Sequence, residues 1–149
     1  MQPAESSEIA FRLNSVAIHL VRRARTADAA LGVPPGQLSA LSVLVFGGER
    51  TIAQLAEAEQ VTSPTMTRIV DGLERAALAK RHPHPDDARA TLVRATSKGR
   101  RLMERGRRRR VDLLGSLLER LSDDELAAVA RAVDALARSM EPEPEPEST

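Results

Sequence analysis

Residues 78–96 are the one stretch of this chain that leaves the helical period, and their place in the order of elements decides the fold. Leu78 to Arg81 and Ala90 to Ala95 are each able to form a short strand. Between them lies His82-Pro83-His84-Pro85-Asp86-Asp87, which cannot be helical and reads as a hairpin tip. Everything around this hairpin reads as helix.

Before it, Ile9, Leu13, Val16 and Leu20 recur at spacings of 4, 3 and 4, one face of a helix over about residues 7–30. Leu31-Gly32-Val33-Pro34-Pro35-Gly36 ends that helix. Gln37 to Phe46 reads as a second helix, with Leu38, Leu41, Leu44 and Val45 inward, stopped by Gly47-Gly48. Thr51 with Gln54 three residues on forms a capping box for a short third helix that buries Ile52, Leu55 and Ala56. After a tight connection at residues 59–62, Ser63 is expected to cap a fourth helix, with Pro64 at its first position. Met66, Ile69, Val70 and Leu73 give that helix a narrow apolar stripe.

After the hairpin, Thr96 caps a helix carrying Leu102, Met103, Leu114, Leu117, Leu118 and Leu121. Ser122 and Glu125 form a second capping box, and Leu126, Val129, Val133, Leu136 and Met140 stripe the last helix. Glu141 to Thr149 alternates Pro with Glu and reads as a disordered acidic tail. The fold class is therefore mainly α with a small β-hairpin wing. A winged helix-turn-helix lobe spans about residues 37–96. A helical dimerisation lobe is built from about 7–31 and 97–140, all within one domain. The stripes of the terminal helices exceed what so small a centre can cover, and sharing them between two chains is the simple solution.

Charge gives the centre its role. The net charge is only +1, but residues 60–110 hold 14 Lys and Arg against 5 Asp and Glu, a balance of +9. The rest of the chain holds 8 against 16, a balance of −8. A basic middle between acidic ends is the footprint of a polyanion partner. Only Phe11 and Phe46 are aromatic, which argues against stacking on unpaired bases and for duplex DNA. On the fourth helix, the face opposite the apolar stripe carries Pro64, Arg68 and Arg75, flanked by Thr65 and Thr67, with Ser63 leading. Arg68 can reach guanine edges or phosphate, and the threonines can meet phosphates or a thymine methyl. Arg81, Arg89 and Arg94 make the wing positive. An Arg at its tip suits a narrow minor groove. Asp87 either orients Arg89 or simply forms the turn.

These residues carry a resemblance. Residues 61–74, Val-Thr-Ser-Pro-Thr-Met-Thr-Arg-Ile-Val-Asp-Gly-Leu-Glu, resemble the recognition-helix pattern of the MarR family. Lys80-Arg81, Asp87-Ala88-Arg89-Ala90 and Thr96-Ser97-Lys98-Gly99 follow like that family's wing signature. The resemblance implies a homodimer on a near-palindromic operator, usually repressing and often released by a small-molecule effector. It places Ser63, Pro64, Thr65, Thr67 and Arg68 in the major groove, Arg89 in the minor groove oriented by Asp87, and Arg81 on the backbone near the wing. The chain departs from the pattern where Gln60 stands for the turn Gly, Ala77 for the Gly before the first wing strand, and Ala95-Thr96 for the closing Leu-Thr.

Other classes find little support. With no cysteine there is no disulfide, thiolate zinc site or cysteine redox sensor. No nucleophile–base pair, phosphate loop or metal-ligand cluster appears, so neither enzyme, metal nor cofactor is expected. His82 and His84 near Asp86 and Asp87 are too weak a pattern for a metal. Arg107 to Arg110 reads as a solvated face partnered by Glu104 and Asp112 or as a contact to flanking phosphate or an acidic ligand, and His19 is either a partly buried, satisfied side chain or a wall of an effector pocket. Glu5, Glu8 and Arg12 stand where a secretory leader needs an apolar run, and no stretch is long enough to span a membrane. A cytoplasmic protein is expected. The rival readings are a winged helix used for protein–protein contact and a non-specific architectural DNA binder.

Overall fold

The computed structural model of the chain describes residues 3–85 and 90–140. Asp86, Asp87, Ala88 and Arg89 fall outside them, as does the acidic tail. The elements run α1 (Pro3–Ala29), α2 (Pro35–Phe46), β1 (Arg50–Thr51), α3 (Ile52–Ala58), α4 (Ser63–Arg75), β2 (Ala79–Pro83), β3 (Thr91–Ala95), α5 (Ser97–Leu118) and α6 (Asp123–Met140). The fold is mainly helical with a small antiparallel sheet, a winged helix-turn-helix. The described residues form two compact units, one ending at Leu113 and the other starting at Leu114.

In the first unit, the stripes expected on α2, α3 and α4 meet. Leu41, Leu44, Leu55, Met66, Val70 and Leu73 are fully buried, and Val93 of β3 closes the cluster from the sheet side. Burying each such side chain is worth about 1.5–3 kcal/mol. Leu78, Leu102 and Met103 extend the core to the start of the wing and of α5. No charged side chain is buried among the described residues. α1 ends beside α5, where Arg110 pairs with Asp28.

The sheet has the order β1-β3-β2. Pro83 belongs to β2, two residues beyond the expected end of that strand, opposite Thr91. Because β2 is an edge strand, proline's missing donor costs the ladder nothing there. β1 adds a third strand through Arg50↔Val93 and Thr51↔Leu92. Thr51 also caps α3, accepting from the Gln54 amide at 3.2 Å while Gln54 Oε1 accepts from the Thr51 amide at 2.9 Å. α4 starts one residue earlier than expected. Its cap is Thr62, which is still extended at φ −74° and ψ 151° and accepts from the Thr65 amide, so Ser63 and Pro64 already lie within the helix.

In the second unit, the Ser122–Glu125 capping box opens α6. Ser122 Oγ donates to Glu125 Oε2 at 2.8 Å and accepts from the Glu125 amide at 3.4 Å. α6 contains no buried residue: Val133 is 57% and Met140 77% exposed. α1 of the first unit has the same character, with Ile9, Val16 and Val21 all at least half exposed.

Candidate nucleic-acid interface

The helix-turn-helix is closed by two matching turns. At the end of α3, Gln60 donates to the Glu57 carbonyl and Val61 to the Ala56 carbonyl; at the end of α4, Ala77 donates to Glu74 and Leu78 to Leu73. Both are Schellman endings, which place the residue after the cap in the left-handed region. Gln60 has φ 53° and Ala77 φ 57°, and these are the only described non-glycine residues at positive φ. They are the two positions where the sequence has Gln and Ala in place of the glycine common in such turns. The turn geometry is kept, and the side chains bear a strain of about 1–2 kcal/mol each.

The turns aim α4 outward. Met66, Val70 and Leu73 anchor one face, while Ser63, Pro64, Thr65, Thr67 and Arg68 are all exposed at the leading end. Thr62 and Thr65 share a hydroxyl hydrogen bond of 3.0 Å, and the Thr67 hydroxyl donates to the Ser63 carbonyl at 2.9 Å. Local bonds thus fix the threonine rotamers. Among the described residues no carboxylate engages Arg68.

The trailing end is tied down instead. Arg81 of β2 reaches back to α4, pairing with Asp71 at 2.8 Å and with Glu74; its amide donates to Glu74 Oε1 at 2.8 Å. Burial pulls the Arg81 pKa down, but the hydrogen bonds and charges of Asp71 and Glu74 outweigh this and hold it above its ordinary value. The family resemblance places Arg81 on the DNA backbone near the wing; in the structure its guanidinium also pairs with two carboxylates of α4.

The wing-closing residues serve the same joint. The Thr96 hydroxyl donates to the Ala77 carbonyl at 2.8 Å and accepts from the Gly99 amide at 3.1 Å. Lys98 Nζ donates to the Ala76 carbonyl at 2.8 Å, a cation at a helix C-terminus. Gly99 is buried, and a Cβ there would lie 2.2 Å from the Leu78 carbonyl oxygen, so the close approach of α5 to the wing demands glycine.

Of the other sequence candidates, Asp87 and Arg89 lie outside the described residues. His19 is exposed on α1. Arg94 lies 3.7 Å from Glu49, whose other oxygen is 3.0 Å from His82 Nε2. In the run 107–110, Arg108 meets Glu104 as expected at 3.2 Å, whereas Arg110 is taken by Asp28. Among the described residues no cluster of His, Asp or Glu is arranged to hold a metal, and no helix is long and apolar enough to cross a membrane.

Comparison with known proteins agrees with this geometry. The family model described as "MarR family" matches residues 31–90. An HTH-type transcriptional regulator of Mycobacterium leprae is 31% identical over 138 residues, 93% of this chain and 96% of its own length. The transcriptional regulator Tm0710 of Thermotoga maritima superposes with a TM-score of 0.82 at 22% identity, covering 90% of this chain and 94% of that one. A mutant of Staphylococcus aureus MepR, solved bound to an oligodeoxyribonucleotide, superposes at 0.70 with 21% identity, covering 89% and 98%. At these identities the two structural likenesses establish the shared fold.

Proposed function

The chain belongs to the MarR family of transcriptional regulators, and from that premise we propose that it is a homodimeric repressor reading duplex DNA at a near-palindromic operator in the cytoplasm. The observation that carries this reading is the leading end of α4. Five exposed residues, Ser63, Pro64, Thr65, Thr67 and Arg68, project from a helix whose other face is locked into the core. Such an end fits the major groove, where Arg68 can pair with a guanine edge and the threonines can meet phosphate or a thymine methyl. The MepR mutant bound to an oligodeoxyribonucleotide supports a nucleic-acid role for this fold.

Arg89, oriented by Asp87, serves the minor groove beyond the wing. Arg81 acts as a positioning residue that fixes the wing to α4. The exposed apolar faces of α1 and α6 support the dimer, since each needs cover that its own unit does not give. A two-fold dimer presents two α4 helices to half-sites about one DNA turn apart, and occupancy of such a site blocks a promoter by exclusion. Release by a small-molecule effector belongs to the same reading and rests on the family resemblance alone.

The test is fluorescence anisotropy on the DNA upstream of the protein's own gene against scrambled DNA, across a salt series, with Arg68→Ala and Arg89→Ala beside the wild type. Preference for the native DNA, steep weakening with salt and loss in both variants are expected. Equal binding to both DNAs points to an architectural role. No binding to any DNA at low salt overturns the reading in favour of protein–protein contact.

A further inference from the structure

The outer face of the wing sheet carries a basic cleft whose lining includes no residue of α4. Along β2 the side chains alternate. Ala79 and Arg81 turn toward the core and α4, so Lys80 turns the other way. Lys80 is directly opposite Arg94 of β3 in the antiparallel register. Two like charges directly opposite each other destabilise a sheet. Glu49 answers part of this: one oxygen lies 3.7 Å from Arg94 and the other 3.0 Å from His82 Nε2, and among the described residues no carboxylate pairs with Lys80.

The first turn of α5 deepens the imbalance. Ser97, Lys98 and Arg100 line the same cleft, which has a volume of about 500 Å³. Among the described residues its lining holds four cations, Lys80, Arg94, Lys98 and Arg100, against the single carboxylate of Glu49. Lys98 is partly committed to the Ala76 carbonyl. The apolar lining is limited to Ala77 and Ala95, so nothing there suits an aromatic or aliphatic ligand. The volume lies within the usual range for small-molecule sites, about 300–1,000 Å³.

We propose that this cleft binds a phosphate group, with Lys80, Arg94 and Arg100 as its charged contacts. A phosphate offers several strong acceptor oxygens and resolves the Lys80–Arg94 repulsion by lying between them. The start of a long helix adds a favourable field. The group can come from a free phosphorylated compound or from the backbone of flanking DNA, and the chemistry at the cleft is the same.

The experiment titrates inorganic pyrophosphate into the full chain by calorimetry at low ionic strength. Wild type, Lys80→Gln, Lys80→Gln/Arg100→Gln, Glu49→Gln and Arg68→Ala are compared, each checked for an unchanged melting curve. Saturable binding is expected, weakened about tenfold or more in the double variant. It should be strengthened in Glu49→Gln, where the competing carboxylate is gone. Arg68→Ala should bind pyrophosphate like wild type, so failure of the DNA reading leaves this result standing. Should the double variant be unstable, exposed Lys80→Gln alone carries the test. The same variants are then titrated with upstream DNA in phosphate-free buffer. Loss of affinity with a shallower salt dependence assigns the phosphate to the DNA backbone, and unchanged DNA affinity assigns it to a free anion. Pyrophosphate binding that is absent, or equal in wild type and Lys80→Gln, overturns the proposal.

Discussion

The two ends of α4 are built on opposite plans. At the leading end, a single threonine cap and short-range hydroxyl bonds hold the backbone, and among the described residues no carboxylate engages Arg68. At the trailing end, Arg81, Thr96, Lys98 and the Leu78 backbone converge on the last turn, and a glycine lets α5 press against it. One end is kept available to a partner and the other is spent on the molecule itself. Polar residues that look alike in the sequence therefore do different work according to which end they serve.

Substitutions can break this contrast in a definite order. Gly99→Ala should cost most, about 3 kcal/mol, because its Cβ would collide with backbone that cannot step aside. Urea denaturation should show the loss, and an unchanged midpoint would mean that α5 does not bear on the wing. Arg68→Ala should weaken binding to a cognate site by about 1–3 kcal/mol while leaving the melting temperature within error. A drop in melting temperature would put Arg68 among the structural residues. Arg81→Met should do the reverse in part, losing about 1 kcal/mol of stability. Its DNA affinity should fall through misplacement of the wing, so that restoring Arg81 as Lys recovers little of the two-carboxylate geometry. Ala77→Gly should raise stability by about 1 kcal/mol by relieving the left-handed strain, with DNA affinity unchanged.

The smallest effect separates two helix starts by pH. Backbone and hydroxyl hydrogen bonds from Ser122 hold the Glu125 carboxyl below its ordinary value of 4.5, so the cap of α6 contributes fully at neutral pH. That contribution fades as pH falls through the carboxylate range. The Thr62 cap of α4 has no titrating group and should not respond. Chemical shifts of the Glu125 and Thr65 amides between pH 7 and pH 3 would show whether only the first start frays.

Much of this was legible from the sequence because helix stripes and caps are local. Met66, Val70 and Leu73 fell where the 3.6-residue period put them, and both capping boxes formed as read. What escaped was either too short or too distant. β1 is two residues long and offers no period to detect. The cap of α4 moved from Ser63 to Thr62 because two adjacent hydroxyl residues satisfy the same pattern and only the backbone torsions distinguish them. The tether from Arg81 to Asp71 spans ten positions and a turn, so the ion pair is invisible until the fold closes the distance. The crowding of the outer sheet by Lys80 and Arg94 needed the strand register, which no single strand reveals.

The Arg81 joint also limits how the molecule can adjust. With β2 clamped to α4 by Arg81 and the first turn of α5 seated against the start of the wing, the recognition helix and the base of the wing are held together. Together they behave as a ruler of fixed length. In the proposed dimer, tolerance to operator spacing can then come only from outside that ruler. Inserting one base pair between half-sites turns one of them by about 35° relative to the other, and no movement within a half can absorb that rotation. A rigid reader of this kind would be intolerant of changes in spacing.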